Sequence, residues 1–173
     1  MIYTVRASLE QGCWRLSDGR RARLPHATGA ATFNTSLGRE IALNFDTAAS
    51  IRVMVVDDQA SFRRVARAVI AATTGFELLA DAATGSEALR NADHEHPDLV
   101  LMDVHMPDMD GFEATRRLVE AHPESVVVLV SIEDLDDLAD EVTACGAVAF
   151  LHKHDLGPAT LRDVWANYGV GRG

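Results

Sequence analysis

Cysteine is scarce in this sequence, with only Cys13 and Cys145 among 173 residues. Two cysteines cannot build a disulfide framework, nor a four-ligand zinc site of their own. Long apolar runs are missing as well. No unbroken run is longer than the five residues 126–130, far short of the roughly 20 that a bilayer span needs. The N-terminus lacks the apolar stretch of a secretory signal, so a reducing cytoplasm and no membrane attachment are expected. Positive charge is also short: 16 Lys and Arg stand against 26 Asp and Glu, and 16 − 26 = −10. That balance argues against a nucleic-acid surface spread over the whole molecule. What is present is 47% apolar and 24% charged residues, enough to bury a core. The length suits one domain, or one domain with an appendage.

The charge is unevenly divided. Residues 1–50 hold six Arg and four acids, a net of +2, whereas residues 51–173 hold ten Lys and Arg and twenty-two acids, a net of −12. Texture changes at the same place. The first fifty residues scatter Gly and polar residues without a helical or alternating period, and read as a poorly structured extension with at most a short strand or helix. Arg20, Arg21 and Arg23 within it read as a solvated loop.

From Ile51 the pattern becomes regular. Short apolar, β-branched runs at 52–56, 77–81, 98–102, 126–130 and 147–151 alternate with amphipathic stretches near 60–73, 85–94, 112–121, 133–144 and 156–167. In the fourth stretch Leu135, Leu138, Ala139 and Val142 recur at three- and four-residue steps, with acids on the other face. Strands this apolar, each followed by a helix, predict a parallel sheet covered on both faces. Five such units give an α/β, doubly wound domain over 51–168, and a short tail at 169–173.

In open sheets of this kind, ligands sit beyond the carboxyl ends of the strands. Those ends carry Asp57-Asp58, then Asp103, Ser131 and Lys153. Crowded carboxylates raise one another's pKa unless a cation relieves them. Oxygen donors with no cysteine or histidine cluster favour Mg²⁺. Three carboxylates, one ammonium and Mg²⁺ sum to zero, a setting that suits a phosphoryl group, for which an Asp carboxylate is a competent acceptor.

At these residues the chain resembles the response-regulator receiver domains of two-component signalling. The resemblance rests on Val53-Met54-Val55-Val56-Asp57-Asp58-Gln59, on Leu101-Met102-Asp103-Val104-His105-Met106-Pro107 with Gly111, on Val128-Leu129-Val130-Ser131, and on Phe150-Leu151-His152-Lys153. It covers roughly 51–168. Gln59 to Arg64 and Gly75 to Leu89 look most similar to receivers of helix-turn-helix transcription regulators, and after the fifth helix no room for a DNA-binding domain is expected. The resemblance implies a flavodoxin-like five-stranded parallel sheet of order 2-1-3-4-5. It implies Asp103 as phosphoacceptor, and Asp57, Asp58, Asp103 and the backbone carbonyl of His105 around Mg²⁺. Ser131 and Lys153 would bind phosphoryl oxygens, and Ser131 and Phe150 would switch with phosphorylation. A sensor histidine kinase or phosphotransfer protein would be the donor. An output protein would meet the face of the fourth helix, fifth strand and fifth helix. Direct DNA binding is not expected, and dimerisation would depend on phosphorylation. Catalysis would be limited to the domain's own phosphorylation and dephosphorylation. One departure stands out: Ile132 follows Ser131, where the family usually has a small residue.

Other readings of the same residues are a Mg²⁺-dependent aspartyl-phosphate phosphatase and a receiver-like binding module that is not phosphorylated. The phosphatase reading lacks the D-x-D pattern such hydrolases place after the first strand, since this site reads Asp57-Asp58-Gln59. His94-Glu95-His96 and His152-Lys153-His154 each lie in a short loop without further ligands nearby in sequence, and read as solvated histidines.

Overall fold

The computed structural model describes residues 2–4, 32–34, 40–42, 50–133 and 139–169. Cys13, the three arginines at 20, 21 and 23, Leu135 and Leu138 of the fourth amphipathic stretch, and residues 170–173 of the tail lie outside the described residues. The elements in chain order are β1 (Ile2–Thr4), β2 (Thr32–Asn34), β3 (Glu40–Ala42), β4 (Ile51–Val56), α1 (Ala60–Ala71), β5 (Phe76–Ala82), α2 (Gly85–Glu95) and β6 (Leu99–Asp103). They continue with α3 (Gly111–Ala121), β7 (Val126–Ser131), α4 (Ala139–Cys145), β8 (Ala149–His152), a 3₁₀ turn at Lys153–Asp155, and α5 (Pro158–Tyr168).

Five strands run parallel in the order β5-β4-β6-β7-β8, the 2-1-3-4-5 arrangement expected for a flavodoxin-like sheet. Side-chain alternation sorts the apolar strand residues into two cores. Met54, Val56, Val100, Met102, Val127, Leu129 and Phe150 pack with residues of α2, α3 and α4. Val53, Val55, Leu99, Leu101, Val128, Val130, Ala149 and Leu151 pack with α1 and α5. Both faces are therefore covered, which is why these strands read as continuous apolar runs. Each fully buried large side chain stabilises this arrangement by roughly 1.5–3 kcal/mol.

Local chemistry sets the helix starts. Thr84 accepts a hydrogen bond from the Glu87 backbone N–H at 3.1 Å, and Asp110 accepts one from Glu113 at 2.8 Å, in N-cap fashion. Pro158 opens α5, where its missing N–H costs nothing. The strand β5 carries a register irregularity: Val53 faces Leu78 and Met54 faces Ala80, so Leu79 is extra.

The sheet holds one strand more than the repeating pattern offers. Strand β1 pairs antiparallel with β8, matching Ile2 to Leu151, Tyr3 to Phe150 and Thr4 to Ala149. The chain divides into two compact units, one formed by Met1–Arg6 with Ser50–Gly173 and the other by Ala7–Ala49. In the second unit, β2 and β3 form an antiparallel pair with Phe33 opposite Ile41. No helix among the described residues is long and apolar enough to cross a membrane.

Candidate functional site

Strand order reverses at β4, which lies between β5 and β6, and the carboxyl ends beside that point carry the predicted residues. Asp57 directly follows β4 and is fully buried, while Asp58 beside it is exposed. Asp103 ends β6 and is 3% exposed. Lys153 follows β8 and reaches back across β7. Its Nζ lies 2.6 Å from Asp57 Oδ2 and 3.1 Å from Asp103 Oδ1. Lys153 is also the only lysine in the sequence.

Electrostatics follow from this crowding. Burial pushes the Asp103 carboxyl above its ordinary 3.8, and the neighbouring Asp57 charge adds to the rise. Lys153 and the backbone N–H of His105, which donates to the carboxylate, pull the other way without cancelling it. Burial alone would lower the Lys153 ammonium. The Asp57 and Asp103 carboxylates beside it outweigh that, and the group is held above its ordinary value.

The donor set fits a hard divalent cation. One oxygen from each of Asp57, Asp58 and Asp103 lies within 4.8 Å of the others. Asp57 Oδ2 is buried without a directed hydrogen bond, its counter-charge being the Lys153 ammonium. All three ligand atoms are carboxylate oxygens, the chemistry that Mg²⁺ prefers.

Ser131 ends β7 at 1% exposure, and its Oγ accepts from the Glu133 backbone N–H at 3.1 Å. Phe150 is 1% exposed, lies opposite Leu129 in the sheet and packs into the core on the α2–α4 side, away from the carboxylates. The His105 side chain is solvent-exposed, with Nε2 3.0 Å from Glu133 Oε2, so the β6–α3 and β7–α4 loops are joined at the rim. Ile132 is 69% exposed.

Three supports escaped the sequence reading, and a fourth, Gly111, was already among the residues that carry the resemblance. The guanidinium of Arg63 donates to the backbone carbonyls of Asp57 at 2.5 Å and Asp58 at 3.2 Å, and to the Asp81 carboxylate at 3.1 Å. The ring of Phe62 lies 4.9 Å from Lys153 Nζ. Asp108 accepts from the backbone N–H groups of Gly85 and Ser86, tying the β6–α3 loop to the start of α2. Gly111 packs so closely that a Cβ there would lie 2.0 Å from the Asp103 carbonyl oxygen. A Phe–Arg pair one turn into the helix that follows two acids is the signal that could have flagged the first two.

Residues 53–164 match the sequence profile of the response regulator receiver domain. The protein-glutamate methylesterase/protein-glutamine glutaminase 2 of Anaeromyxobacter dehalogenans is 50% identical over 62 residues, 36% of this chain and 18% of that protein. The match thus spans under a fifth of that relative's length. Among solved structures, the response regulator domain of Thermotoga maritima CheB superposes with a TM-score of 0.63 at 28% identity, covering 71% of this chain and 99% of that one. The CheX–CheY–BeF₃–Mg²⁺ complex of Borrelia burgdorferi gives a TM-score of 0.64 at 26% identity, covering 73% and 95%.

Proposed function

The chain belongs to the response regulator receiver domain family, and from that premise we propose that it accepts a phosphoryl group on Asp103 from the phosphohistidine of a sensor histidine kinase or phosphotransfer protein. The observation that carries the reading is Lys153, whose ammonium stands within ion-pair distance of both Asp57 and Asp103. Three strand ends, those of β4, β6 and β8, thereby meet in one charge-coupled cluster.

A carboxylate oxygen of Asp103 attacks phosphorus, the P–N bond breaks, and its electron pair returns to the donor imidazole, which takes up a proton. The product is an acyl phosphate. Asp57, Asp58, Asp103 and the His105 carbonyl would hold Mg²⁺, which when bound offsets charge on the carboxylates and on the phosphoryl oxygens. Lys153 neutralises the buried carboxylates beforehand and meets a phosphoryl oxygen afterwards. A compact ammonium suits both tasks, because its three donors rotate freely. Ser131 Oγ, now an acceptor toward Glu133 N–H, keeps its own proton to donate to another phosphoryl oxygen.

Output runs through α4, β8 and α5 to another protein rather than to DNA. The six acids of residues 133–141 favour a basic partner surface. Strand β1 lies along the outer edge of β8, so a partner on that face meets β1 as well. We place the domain in the cytoplasm and assign it no turnover beyond its own phosphorylation and dephosphorylation. The methylesterase activity in the relatives' name is not carried over, because the matched stretch covers only 18% of such a protein. Residues 51–168 are the phosphoacceptor unit in this reading, with 1–50 as an extension dispensable for the chemistry.

The test is intact-mass analysis after incubation with acetyl phosphate and Mg²⁺. One phosphoryl adduct on the wild type and none on Asp103→Asn is expected. An adduct that survives in Asp103→Asn would sink the assignment, and no adduct on the wild type would favour a module that is not phosphorylated. Steady release of phosphate from a small phosphomonoester would favour the phosphatase instead.

A further inference from the structure

A second cluster of ligating groups lies at the other end of the sheet, where α2 and α3 finish and β6 and β7 begin. His96 is the C-cap of α2, and His122 is the C-cap of α3. Their rings meet edge to face with centroids 5.7 Å apart. One ligand atom from each of His96, His122 and Glu124 lies within 4.8 Å of the others. The sequence reading left His96 as a solvated histidine because no further ligand was near in the chain. The fold supplies two.

Three features distinguish this cluster from a chance surface group. His122 is only 8% exposed, and its ring is flanked by carboxylates on both nitrogens. Nε2 is 2.9 Å from Asp93 Oδ1, and Nδ1 is 3.5 Å from Glu124 Oε1. A neutral imidazole has one N–H, so a lone pair must face one of these carboxylates unless a cation stands between them. In the tautomer that donates Nε2–H to Asp93, the nearer carboxylate, Nδ1 turns its lone pair toward Glu124. A carboxylate holding the far nitrogen of a ligating histidine is the usual outer support of a metal site.

Second, His96 sits at φ 49°, the one non-glycine residue with positive φ among the described residues. Such a conformation is disfavoured for a residue with a Cβ and persists where surrounding structure over-determines it. Here the surroundings do so. The guanidinium of Arg52 donates to the carbonyls of Glu95 and His96, and its Nε and backbone N–H donate to Asp98. Ser125 Oγ donates to the Pro97 carbonyl at 2.7 Å, joining this loop to the one that carries His122 and Glu124.

Third, the spacing fits. Bonds of about 2.0–2.1 Å at a tetrahedral angle put ligand atoms roughly 3.4 Å apart. The His122–Glu124 pair, at 3.5 Å, already meets that. His96 is exposed, and the 4.8 Å limit on its distance leaves at most about 1.4 Å for its ring to close.

We propose that His96, His122 and Glu124 bind a divalent transition-metal ion of the Zn²⁺ class, with Asp93 positioning His122. Two imidazoles and a carboxylate select Zn²⁺ or its neighbours over Mg²⁺. This donor set differs from the all-oxygen pocket at the opposite strand ends. With three protein ligands, a fourth position stays open to water or to a donor from another molecule. The ion staples the α2–β6 and α3–β7 connections together without touching Asp103.

The experiment uses the untagged full chain and two readouts, Zn²⁺ titration by calorimetry and the visible spectrum of bound Co²⁺. His96→Asn removes the ring while keeping a residue that tolerates the left-handed conformation, so folding is not at stake. It should weaken Zn²⁺ binding at least tenfold and abolish the tetrahedral Co²⁺ bands, as should Glu124→Gln. Asp93→Asn should weaken it about tenfold. Asp58→Ala should leave it unchanged. Zn²⁺ affinity that survives His96→Asn, or that is lost in Asp58→Ala, would overturn the proposal, and neither result bears on phosphorylation at Asp103.

Discussion

Replacing Gly111 by alanine tests how tightly the fold holds Asp103, the proposed phosphoacceptor. The added Cβ would lie 2.0 Å from the carbonyl oxygen of Asp103 and 2.9 Å from its carbonyl carbon and from Val104 Cα. Real Cβ contacts essentially never fall under 3.0 Å, so the backbone must open by at least 3.0 − 2.0 = 1.0 Å. Every atom in the way is main chain, and none of it is a flexible side-chain end that could swing aside. Overpacking of this kind costs typically 1–3 kcal/mol, and the rigid surroundings point to the upper end, about 3 kcal/mol. With a urea slope of about 1.5–2 kcal/mol per molar, the unfolding midpoint should fall by roughly 1.5–2 M. The control is Gly157→Ala, where no atom lies within 4 Å of the new Cβ. It should leave the midpoint nearly unchanged. The displaced carbonyl belongs to Asp103 itself, so its carboxylate moves too. A misplacement near 1 Å can cost on the order of 10²-fold in rate. Phosphoryl uptake from acetyl phosphate, followed by intact mass well below the unfolding midpoint, should slow on that scale. Gly111→Ala within about 0.5 kcal/mol of wild type and with normal uptake would refute the claim that this contact positions the acceptor.

The electrostatic reading predicts a pH signature. The Asp103 carboxyl is raised above 3.8 in the fold, first by burial and then by Asp57. The stability it contributes is therefore full below about pH 3.8 and is lost as pH rises through the folded value, whereas Asp103→Asn cannot ionise and loses nothing. The variant's gain in urea midpoint should be larger at pH 7 than at pH 4, and an equal gain at both would contradict the crowding argument. For the metal, Asp58→Ala should weaken Mg²⁺ more than Asp57→Ala, because exposed Asp58 borders solvent while Asp57 is engaged by Lys153 and the Gln59 N–H. Calorimetry showing equal losses would remove that assignment. With beryllofluoride as phosphoryl mimic, amide shifts should reach residues 133–165, modest in size because Phe150 is already buried. Shifts confined to the metal site would reject the α4–β8–α5 output face.

The legible part of the structure was what burial writes into local pattern. Strands covered on both faces must be apolar throughout, and that made all five parallel strands readable, with ends within about two residues of those observed. The meeting of Asp57, Asp103 and Lys153 was readable for the same reason, since ligands of such sheets sit where the strands stop. Strand β1 was not, because three residues carry no period, and their pairing with β8 bridges well over a hundred positions. Arg63 resembled any solvated helix arginine until the fold placed it under the Asp57 and Asp58 carbonyls. His96 and Glu124 lie 28 positions apart, joined only by two loops that meet in space. Contacts of that kind leave no local trace.

The two rims of the main sheet differ in what pairs with their edge strands. At β8 the hydrogen-bonding row is taken up by β1. At β5 no further strand pairs among the described residues. An apolar rim strand with free main-chain groups is a template for aggregation. Here Phe76, Leu78 and Leu79 are only half buried. What blunts the hazard is the exposed Glu77 charge, the irregular register at Leu79, and Asp81, whose carboxylate is held by Arg63 and Arg67. The candidate site and the rim strand thus share a residue: the Arg63 that braces the Asp57 and Asp58 carbonyls also holds the Asp81 carboxylate on β5.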